Sequence, residues 1–152
     1  MPETPKPPLI YLEDLSVGDV FVSKTHALDA EQIVGFASQF DPQPFHLDPE
    51  AARDTLFQGL AASGWHTAAL TMKLLVESFP VARGVIGAGA ELAWPMPTRP
   101  DDVVKVTSTV LSITPSRSKP DRAIVVVESI TSNQRDEALQ KLTSKVVVFR
   151  KP

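Results

Sequence analysis

The sequence predicts an α+β fold in which an antiparallel sheet curls around one apolar helix. The first 80 residues carry helix signals, and the helix that ends before Pro80 is the most apolar of them. After Pro80, four segments rich in Val, Thr and Ile follow one another between turn signals, as is typical of β-strands. An antiparallel sheet packed on the apolar helix would bury the apolar surfaces of both elements.

Chain length indicates a single domain. The 152 residues suffice for one hydrophobic core, and no linker long enough to separate two domains is present. Residues 1–8 contain four of the 14 prolines and no apolar run. We therefore expect residues 1–8 to form a disordered tail and residues 9–152 to form one domain.

Two helices are indicated in the first part of the domain. Asp29 is a good N-cap for a helix over Ala30–Phe40, whose apolar residues recur at helical spacing, and Pro42 forces that helix to end. The pair Asp48-Pro49 repeats the signature of a cap followed by a first helical turn. It predicts a short helix from Pro49 to about Asp54.

The third helix begins near Ser63-Gly64. Its apolar residues cover more than half of its circumference, so we expect it inside the fold. His66 falls on the same line of the helix as Lys73 and Glu77, which predicts a position in solvent or at a sheet edge for this histidine.

Four long strands are predicted after the third helix, and a shorter one before the first. The long strands are Gly84 to Trp94, Asp102 to Ile113, Arg122 to Ser132 and Ala138 to Arg150, and the early strand is Val20 to Thr25. Because a long edge strand offers unpaired backbone groups to a second copy, we expect a homodimer.

Composition excludes several classes of function. Without cysteine, the chain has no thiol nucleophile, disulfide or cysteine-ligated metal. Its 15 basic and 18 acidic residues give a net charge of −3, which argues against a general nucleic-acid binder. No segment reads as a signal peptide or a membrane span. We expect a cytoplasmic protein with no metal, nucleic-acid or membrane partner.

The segment Asp41 to Pro49 is the strongest candidate for chemistry. Its three prolines restrict the backbone, and it carries a carboxylate at Asp41 and an imidazole at His46, groups that together can remove and deliver a proton around a bound water. An extended segment would hold the two side chains roughly 15 Å apart, so the pair requires a bend near Phe45. In the alternative interpretation, both groups only satisfy backbone atoms of the turn.

A second candidate is the start of the third helix. Small residues lead from Gly59 to Gly64, and free N–H groups at a helix N-terminus can stabilise a developing oxyanion. In the alternative interpretation, Gly59 and Gly64 serve only turns and packing.

The order of these motifs resembles the MaoC-like dehydratases, a family that includes the (R)-specific enoyl-CoA hydratases. The family signature is an Asp, an Asn-Pro-hydrophobic-His group ending five residues on, an Asp-Pro pair, and a Gly that opens a long hydrophobic helix. The early segment Leu15 to Asp19 also resembles the family's opening, and the order of elements agrees from there to Phe149. The residues that match the signature are Asp41, Pro44, Phe45, His46, Asp48, Pro49, Phe57 and Gly64.

The resemblance implies the hot-dog fold, with an antiparallel sheet wrapped around a long central helix. It also implies that Asp41 and His46 are the catalytic pair, and that the Gly64 N–H binds the thioester oxygen. At three neighbouring positions the chain departs from the family pattern. Gln43 replaces the usual Asn, and Ser63 and Trp65 flank Gly64 where many hydratases have His and Met. We expect these three residues to contact the substrate.

The predicted function is that of an (R)-specific enoyl-CoA hydratase or 3-hydroxyacyl-CoA dehydratase, acting on a small or branched acyl chain. The substrate would be a thioester of coenzyme A or of an acyl carrier, with no further cofactor, and the protein would be a homodimer or a higher homo-oligomer. Two alternatives are an acyl-CoA thioesterase of the hot-dog class and a non-catalytic acyl-thioester-binding partner subunit. Pocket depth, and hence chain length, depends on the packing of Trp65, Met72, Trp94 and Met96.

Overall fold

The computed structural model describes residue 3 and residues 6–152. A single 3₁₀ turn precedes the regular elements of these residues. The helices are α1 (Ala30–Phe40), α2 (Pro44–Leu47), α3 (Pro49–Ala52) and α4 (Gly64–Ser78), and the strands are β1 (Val20–Val22), β2 (His26–Ala27), β3 (Ile86–Ala93), β4 (Val103–Pro115), β5 (Arg122–Ser132) and β6 (Ala138–Phe149).

The strands form one antiparallel sheet in the order β1-β4-β5-β6-β3, with β2 also paired to β4. Helix α4 packs against β4, β5 and β6. This is the α+β hot-dog fold, so the predicted fold class is confirmed. The early strand predicted over Val20 to Thr25 is shorter, and a second short strand, β2, follows it.

Local signals place the helices correctly. The Asp29 side chain accepts a hydrogen bond from the Gln32 amide at 2.8 Å, which caps α1 as predicted. Helix α1 ends at Phe40, two residues before Pro42. The short helix α3 begins at Pro49 as predicted, and its second turn is not helical.

The main core lies between the C-terminal half of α4 and the sheet. Leu75 and Phe79 pack there against valines of β4, β5 and β6. Burying each such side chain contributes about 1.5–3 kcal/mol. This packing anchors the far end of α4, so that its N-terminus is held at the opposite end of the sheet, where β3 ends and β4 begins.

In the single chain, α4 lies inside the fold on one side only, so some of the apolar residues expected to be buried are exposed. Thr67, Thr71 and Leu74 are buried, but Trp65, Met72 and Val76 are 59%, 45% and 45% exposed. The sheet covers only one side of the helix, and these three apolar side chains lie on the other side.

The prediction for His66 is wrong. This side chain is 6% exposed and its ring stacks on Phe36 of α1, with centroids 4.6 Å apart and planes 5° apart. His66 lies on the same side of α4 as the exposed Lys73 and Glu77, but it is buried because α1 covers the first turns of α4 and leaves the later turns open.

Half of the predicted tail, residues 1–8, lies outside the described residues. Ile10, just after it, forms an isolated bridge with Val81. Over the part of the chain that the structure describes, no helix combines the length and apolar character needed to cross a bilayer.

Candidate active site

The bend on which the predicted acid–base pair depends is helix α2. Its single turn begins at Pro44, whose fixed φ suits the first helical position, and Gln43 is its N-cap residue. This turn folds the chain back on itself after α1. As a result, Oδ2 of Asp41 lies 3.3 Å from Nε2 of His46.

His46 is buried and held by backbone on its far side. Its Nδ1 lies 2.6 Å from the carbonyl oxygen of Ala61, and the Ala61 amide donates to the Phe45 carbonyl at 3.0 Å. Since a carbonyl oxygen only accepts, Nδ1 carries the proton and Nε2 is the nitrogen that faces Asp41. The ring also packs edge-on against Phe45, with centroids 4.6 Å apart.

Asp41 is kept ionised by its neighbours. Burial raises the pKa of its carboxyl, but hydrogen bonds from Ser63 and Gln43 and the charge of His46 outweigh burial, so the pKa lies below its ordinary value. The Gln43 amide donates to Oδ1 at 2.5 Å. Asp41 is therefore a carboxylate at neutral pH, with Oδ2 directed at the histidine.

The N-terminus of α4 reaches the same place. Ser63 caps this helix by accepting a hydrogen bond from the Trp65 amide at 3.2 Å. The preceding residue, Ala62, donates its amide to the Thr98 carbonyl at 2.8 Å and so ties the helix start to the loop after β3. The amide of Gly64 is among the first of α4, which have no acceptor within the helix.

A cavity of about 370 Å³ joins the acid–base pair to the helix start. It includes four of the six predicted site residues, and its other walls are mostly apolar or aromatic. The lining residues are Asp41, His46, Phe57, Ala62, Gly64, Trp65, Thr67, Trp94, Pro95, Met96, Pro97 and Thr98.

The remaining two predicted substrate-binding residues do not line this cavity. The Gln43 side chain is exposed and contacts Asp41, and Ser63 is fully buried at the helix cap. Both contact the Asp41 carboxylate. Met72, named as a possible pocket residue, lies on the outer side of α4.

Sequence reasoning missed Arg99, which fixes the segment that carries the Ala61 carbonyl. Its guanidinium donates to the carbonyl oxygens of Phe57, Gly59 and Leu60 at 2.5, 3.1 and 3.3 Å. Its place in a charged Arg-Pro-Asp-Asp turn gave no sign of this role, because the carbonyls lie about 40 residues away in the chain.

Sequence reasoning also missed Gln140, a fully buried amide in β6. Its Oε1 accepts from the Trp94 indole N–H at 2.8 Å, and its Nε2 donates to Thr71 Oγ1 at 3.0 Å. Thr71 Oγ1 lies 2.5 Å from Thr131 Oγ1. A second hydroxyl pair, between Thr67 and Thr98 at 2.8 Å, lies in the cavity wall.

Comparison with known proteins shows the family of this chain. Residues 16–133 match the MaoC like domain, and the chain belongs to this family. A solved MaoC-like dehydratase from Rhodospirillum rubrum is 64% identical, with a TM-score of 0.93 and coverage of 94% of this chain and 99% of that one. Other solved structures with this fold include (R)-hydratases at 24% and 25% identity.

Two curated relatives are also similar over most of the chain. The uncharacterized protein YdeM of Bacillus subtilis is 34% identical over 128 residues, which are 82% of this chain and 89% of YdeM. A 3-hydroxybutyryl-CoA dehydratase of Methylorubrum extorquens is 31% identical over 112 residues, which are 73% of this chain and 70% of the relative. The predicted resemblance to the MaoC-like dehydratases is thus confirmed, and the similar proteins include hydratases and a dehydratase.

Proposed function

We propose that this chain is an (R)-specific enoyl-CoA hydratase that also catalyses the reverse reaction, dehydration of a 3-hydroxyacyl-CoA. The observation that carries the proposal is the 3.3 Å approach of Asp41 Oδ2 to His46 Nε2 in the wall of an apolar cavity that also contains Gly64. Membership of the MaoC-like family and the similarity to a 3-hydroxybutyryl-CoA dehydratase support it.

The acid–base pair performs both proton transfers. In hydration, the water oxygen bonds to the β-carbon, one water proton goes to a base, and a proton is delivered to the α-carbon. The pair can do both when it holds one proton. Because the pKa of Asp41 is lowered, its carboxylate is the proton acceptor of the pair, and Nε2 of His46, which faces it at 3.3 Å, is the atom from which a proton can reach the α-carbon. Asp41 is then the base toward water, and His46 is the acid toward the α-carbon.

The start of α4 stabilises the intermediate charge. Attack of water at the β-carbon moves electrons onto the thioester oxygen, which becomes an enolate oxygen before the α-carbon is protonated. The Gly64 amide and the positive end of the helix dipole are available to that oxygen. Removing a single donor of this kind typically costs about 10²–10³ in kcat.

The apolar walls admit an acyl chain and limit access of water. The lining residues with large apolar side chains are Phe57, Trp65, Trp94 and Met96. A coenzyme A thioester would be the substrate and no further cofactor would be needed. We also propose a cytoplasmic location, which is the compartment that the sequence favours.

The proposed active form is a homodimer. In the described part of the chain, β3 pairs only with β6, and nearly all of its residues are exposed. Trp65, Met72 and Val76 form an exposed apolar face on α4. A second copy of the chain would cover both the β3 edge and this face of α4.

Analytical ultracentrifugation tests this assembly. The wild type should sediment as a dimer, and the Val76→Lys variant should sediment more as a monomer. A wild-type monomer would contradict the assembly.

A hydration assay with purified protein tests the function. Consumption of trans-2-enoyl-CoA thioesters is followed by absorbance, and the configuration of the 3-hydroxyacyl product by chiral analysis. Asp41→Asn and His46→Ala should each lower kcat/KM by about 10² or more, with folding unchanged. Asp48→Asn is the matched control, because this nearby carboxylate only caps α3 and Asn also caps helices well.

Two results would overturn the proposal. Release of free thiol without hydration would identify a thioesterase. Absence of any reaction with every thioester, with tight binding of acyl-CoA, would identify a non-catalytic binding subunit.

A further inference from the structure

The indole of Trp94 lies directly on the backbone of Gly64. A Cβ atom built on Gly64 would be 2.7, 2.8 and 2.9 Å from the indole atoms Cε2, Cδ2 and Cζ2. Any residue other than glycine at this position would therefore displace the ring. The first turn of α4, which carries the amide proposed to bind the thioester oxygen, is thus covered on one side by an aromatic wall.

The position of this ring is fixed by contacts on two further sides. Its Nε1 donates to the buried Gln140 amide, which in turn bonds to Thr71 on α4. Its ring also meets Trp65 edge-on, with centroids 5.3 Å apart and planes 82° apart. The Trp94 side chain is 41% exposed, but the hydrogen bond at one edge and the aromatic contact at another oppose its rotation, because moving the ring would leave the Gln140 carbonyl buried without a donor.

The backbone beside Trp94 is stiff as well. The next three residues are Pro95, Met96 and Pro97, which also line the cavity. Each proline fixes its own φ and restricts the residue before it, so Trp94 and Met96 are both held in extended conformations. The wall is therefore a rigid boundary of the cavity.

The cavity is also small. Its volume of about 370 Å³ is near the lower end of the roughly 300–1,000 Å³ range of small-molecule sites.

We infer that Trp94 is the residue that limits the length of the acyl chain, and that Gln140 is the positioning residue that holds it in place. The inference rests on the proposed hydratase function and adds its substrate class, which is short acyl thioesters. The indole lines the same cavity as the acid–base pair and lies against Gly64, so an acyl chain that extends past Gly64 meets the ring. We expect long acyl chains to be rejected strongly, because the ring cannot rotate away without losing its hydrogen bond to Gln140.

The test compares crotonyl-CoA, hexenoyl-CoA and octenoyl-CoA as substrates. For each variant, the readout is the ratio of kcat/KM for octenoyl-CoA to kcat/KM for crotonyl-CoA. Trp94→Ala and Trp94→Leu should raise this ratio by about 10-fold or more, since even one methylene that a pocket rejects changes kcat/KM by roughly 10-fold or more. Leu111→Ala, an exposed side chain outside the cavity, is the control and should leave the ratio unchanged.

Gln140→Met removes the acceptor but keeps the length of the side chain. It should raise the same ratio by a smaller factor, whereas a purely structural role would lower kcat/KM for all three substrates alike. Affinities for the unreactive butyryl-CoA and octanoyl-CoA, measured by calorimetry, give a second readout that is independent of turnover. Trp94→Ala should tighten octanoyl-CoA binding relative to butyryl-CoA.

The outcomes separate this inference from the proposed function. Hydratase activity with the wild-type length profile in Trp94→Ala and Trp94→Leu would overturn the role of Trp94 and leave the function standing. Equal loss of activity on all three substrates would overturn it too, because Trp94 would then serve the thioester end. A wild type that neither hydrates nor binds any acyl thioester would overturn both.

Discussion

The Nδ1–H of His46 donates to the carbonyl oxygen of Ala61 over 2.6 Å, and this bond determines which nitrogen of the ring faces Asp41. The Ala61 amide returns a bond to the carbonyl of Phe45, the residue beside His46. Helix α2 and the segment before α4 are thus joined by a reciprocal pair of bonds. The acid–base pair depends on this backbone contact as much as on its own two side chains.

Arg99 should affect catalysis through this contact. Arg99→Leu leaves the carbonyls of Phe57, Gly59 and Leu60 without a donor, so we expect a loss of stability of about 1–3 kcal/mol and a lower kcat. Arg99→Lys should recover little, since a single ammonium cannot reach three carbonyls in the same way. Urea unfolding and steady-state kinetics measure both effects.

The exposed Arg53, whose ion pair among the residues that the structure describes is with Glu50, provides the control for Arg99. Arg53→Leu should leave kcat and the urea midpoint nearly unchanged. If Arg99→Leu behaved like this control, the segment before Ala61 would be held without the guanidinium.

Gln43 should affect the acid limb of the pH–rate profile. Its amide donates to the Asp41 carboxylate, so Gln43→Ala removes a group that lowers the pKa of Asp41 and should move the acid limb of kcat/KM to higher pH. At neutral pH Asp41 stays ionised, and the loss of activity should be less than about tenfold. An unmoved acid limb would show that the Gln43 amide does not stabilise the ionised form.

Replacing Gly64 should disturb the wall of the cavity. The Cβ of Gly64→Ala would lie within 3 Å of three Trp94 ring atoms, and such overpacking typically costs about 1–3 kcal/mol. The double variant Gly64→Ala with Trp94→Leu should regain part of this stability, which a double-mutant cycle in urea would reveal. Strict additivity of the two changes would contradict the contact.

Gly35 on α1 is a matched control for Gly64. It is also a helical glycine, but a Cβ there would meet nothing within 4 Å. Gly35→Ala should therefore stabilise the protein, by up to about 1 kcal/mol from helix propensity alone.

His66 should make the fold sensitive to mild acid. Its Nδ1 is buried without a hydrogen-bond partner among the described residues, and burial, followed by the charge of His26, lowers the pKa of its ring below 6.5. The unfolded chain then binds a proton that the folded chain resists. The contribution of a neutral His66 to stability is present above pH 6.5 and is lost as the pH falls below it.

His66→Phe tests this sensitivity, because phenylalanine keeps the stacking on Phe36 and does not titrate. Urea unfolding from about pH 7.5 to about pH 5 should show the wild type losing stability relative to this variant as the pH falls. The same series with His26→Gln separates the contribution of the neighbouring histidine. A constant difference between wild type and His66→Phe would mean that His66 is protonated as readily in the folded protein as in the unfolded one.

Signals that act over a few residues were read correctly from the sequence. Asp29 caps α1, Pro49 begins α3 and α4 begins at Gly64, as predicted, since each start depends on the φ angle of one residue or on a bond spanning two or three residues. The strands β5 and β6 also lie within one residue of their predicted bounds. The helical turn α2 was predicted as a bend near Phe45 and not as a helix.

Predictions that required knowledge of the neighbours were less successful. His66 is buried because α1 packs on its side of α4, and the outer face of α4 is exposed because the sheet covers only the opposite side. Gln43 and Ser63 contact the Asp41 carboxylate, a contact that the sequence did not indicate. Helical periodicity specifies which residues share a face, but not what lies against that face.

The sequence by itself determined the fold class and the family and pointed to Asp41 and His46 as the candidate acid–base pair, because caps, prolines and strand patterns are local and the motif spacing is readable along the chain. Only the tertiary structure decided which imidazole nitrogen faces Asp41, that Arg99 holds the segment before Ala61, and that Trp94 closes over Gly64. Each of these contacts joins residues 15 to 42 positions apart. Contacts at such separations are set by how helices and strands pack, and that packing leaves no local pattern in the sequence.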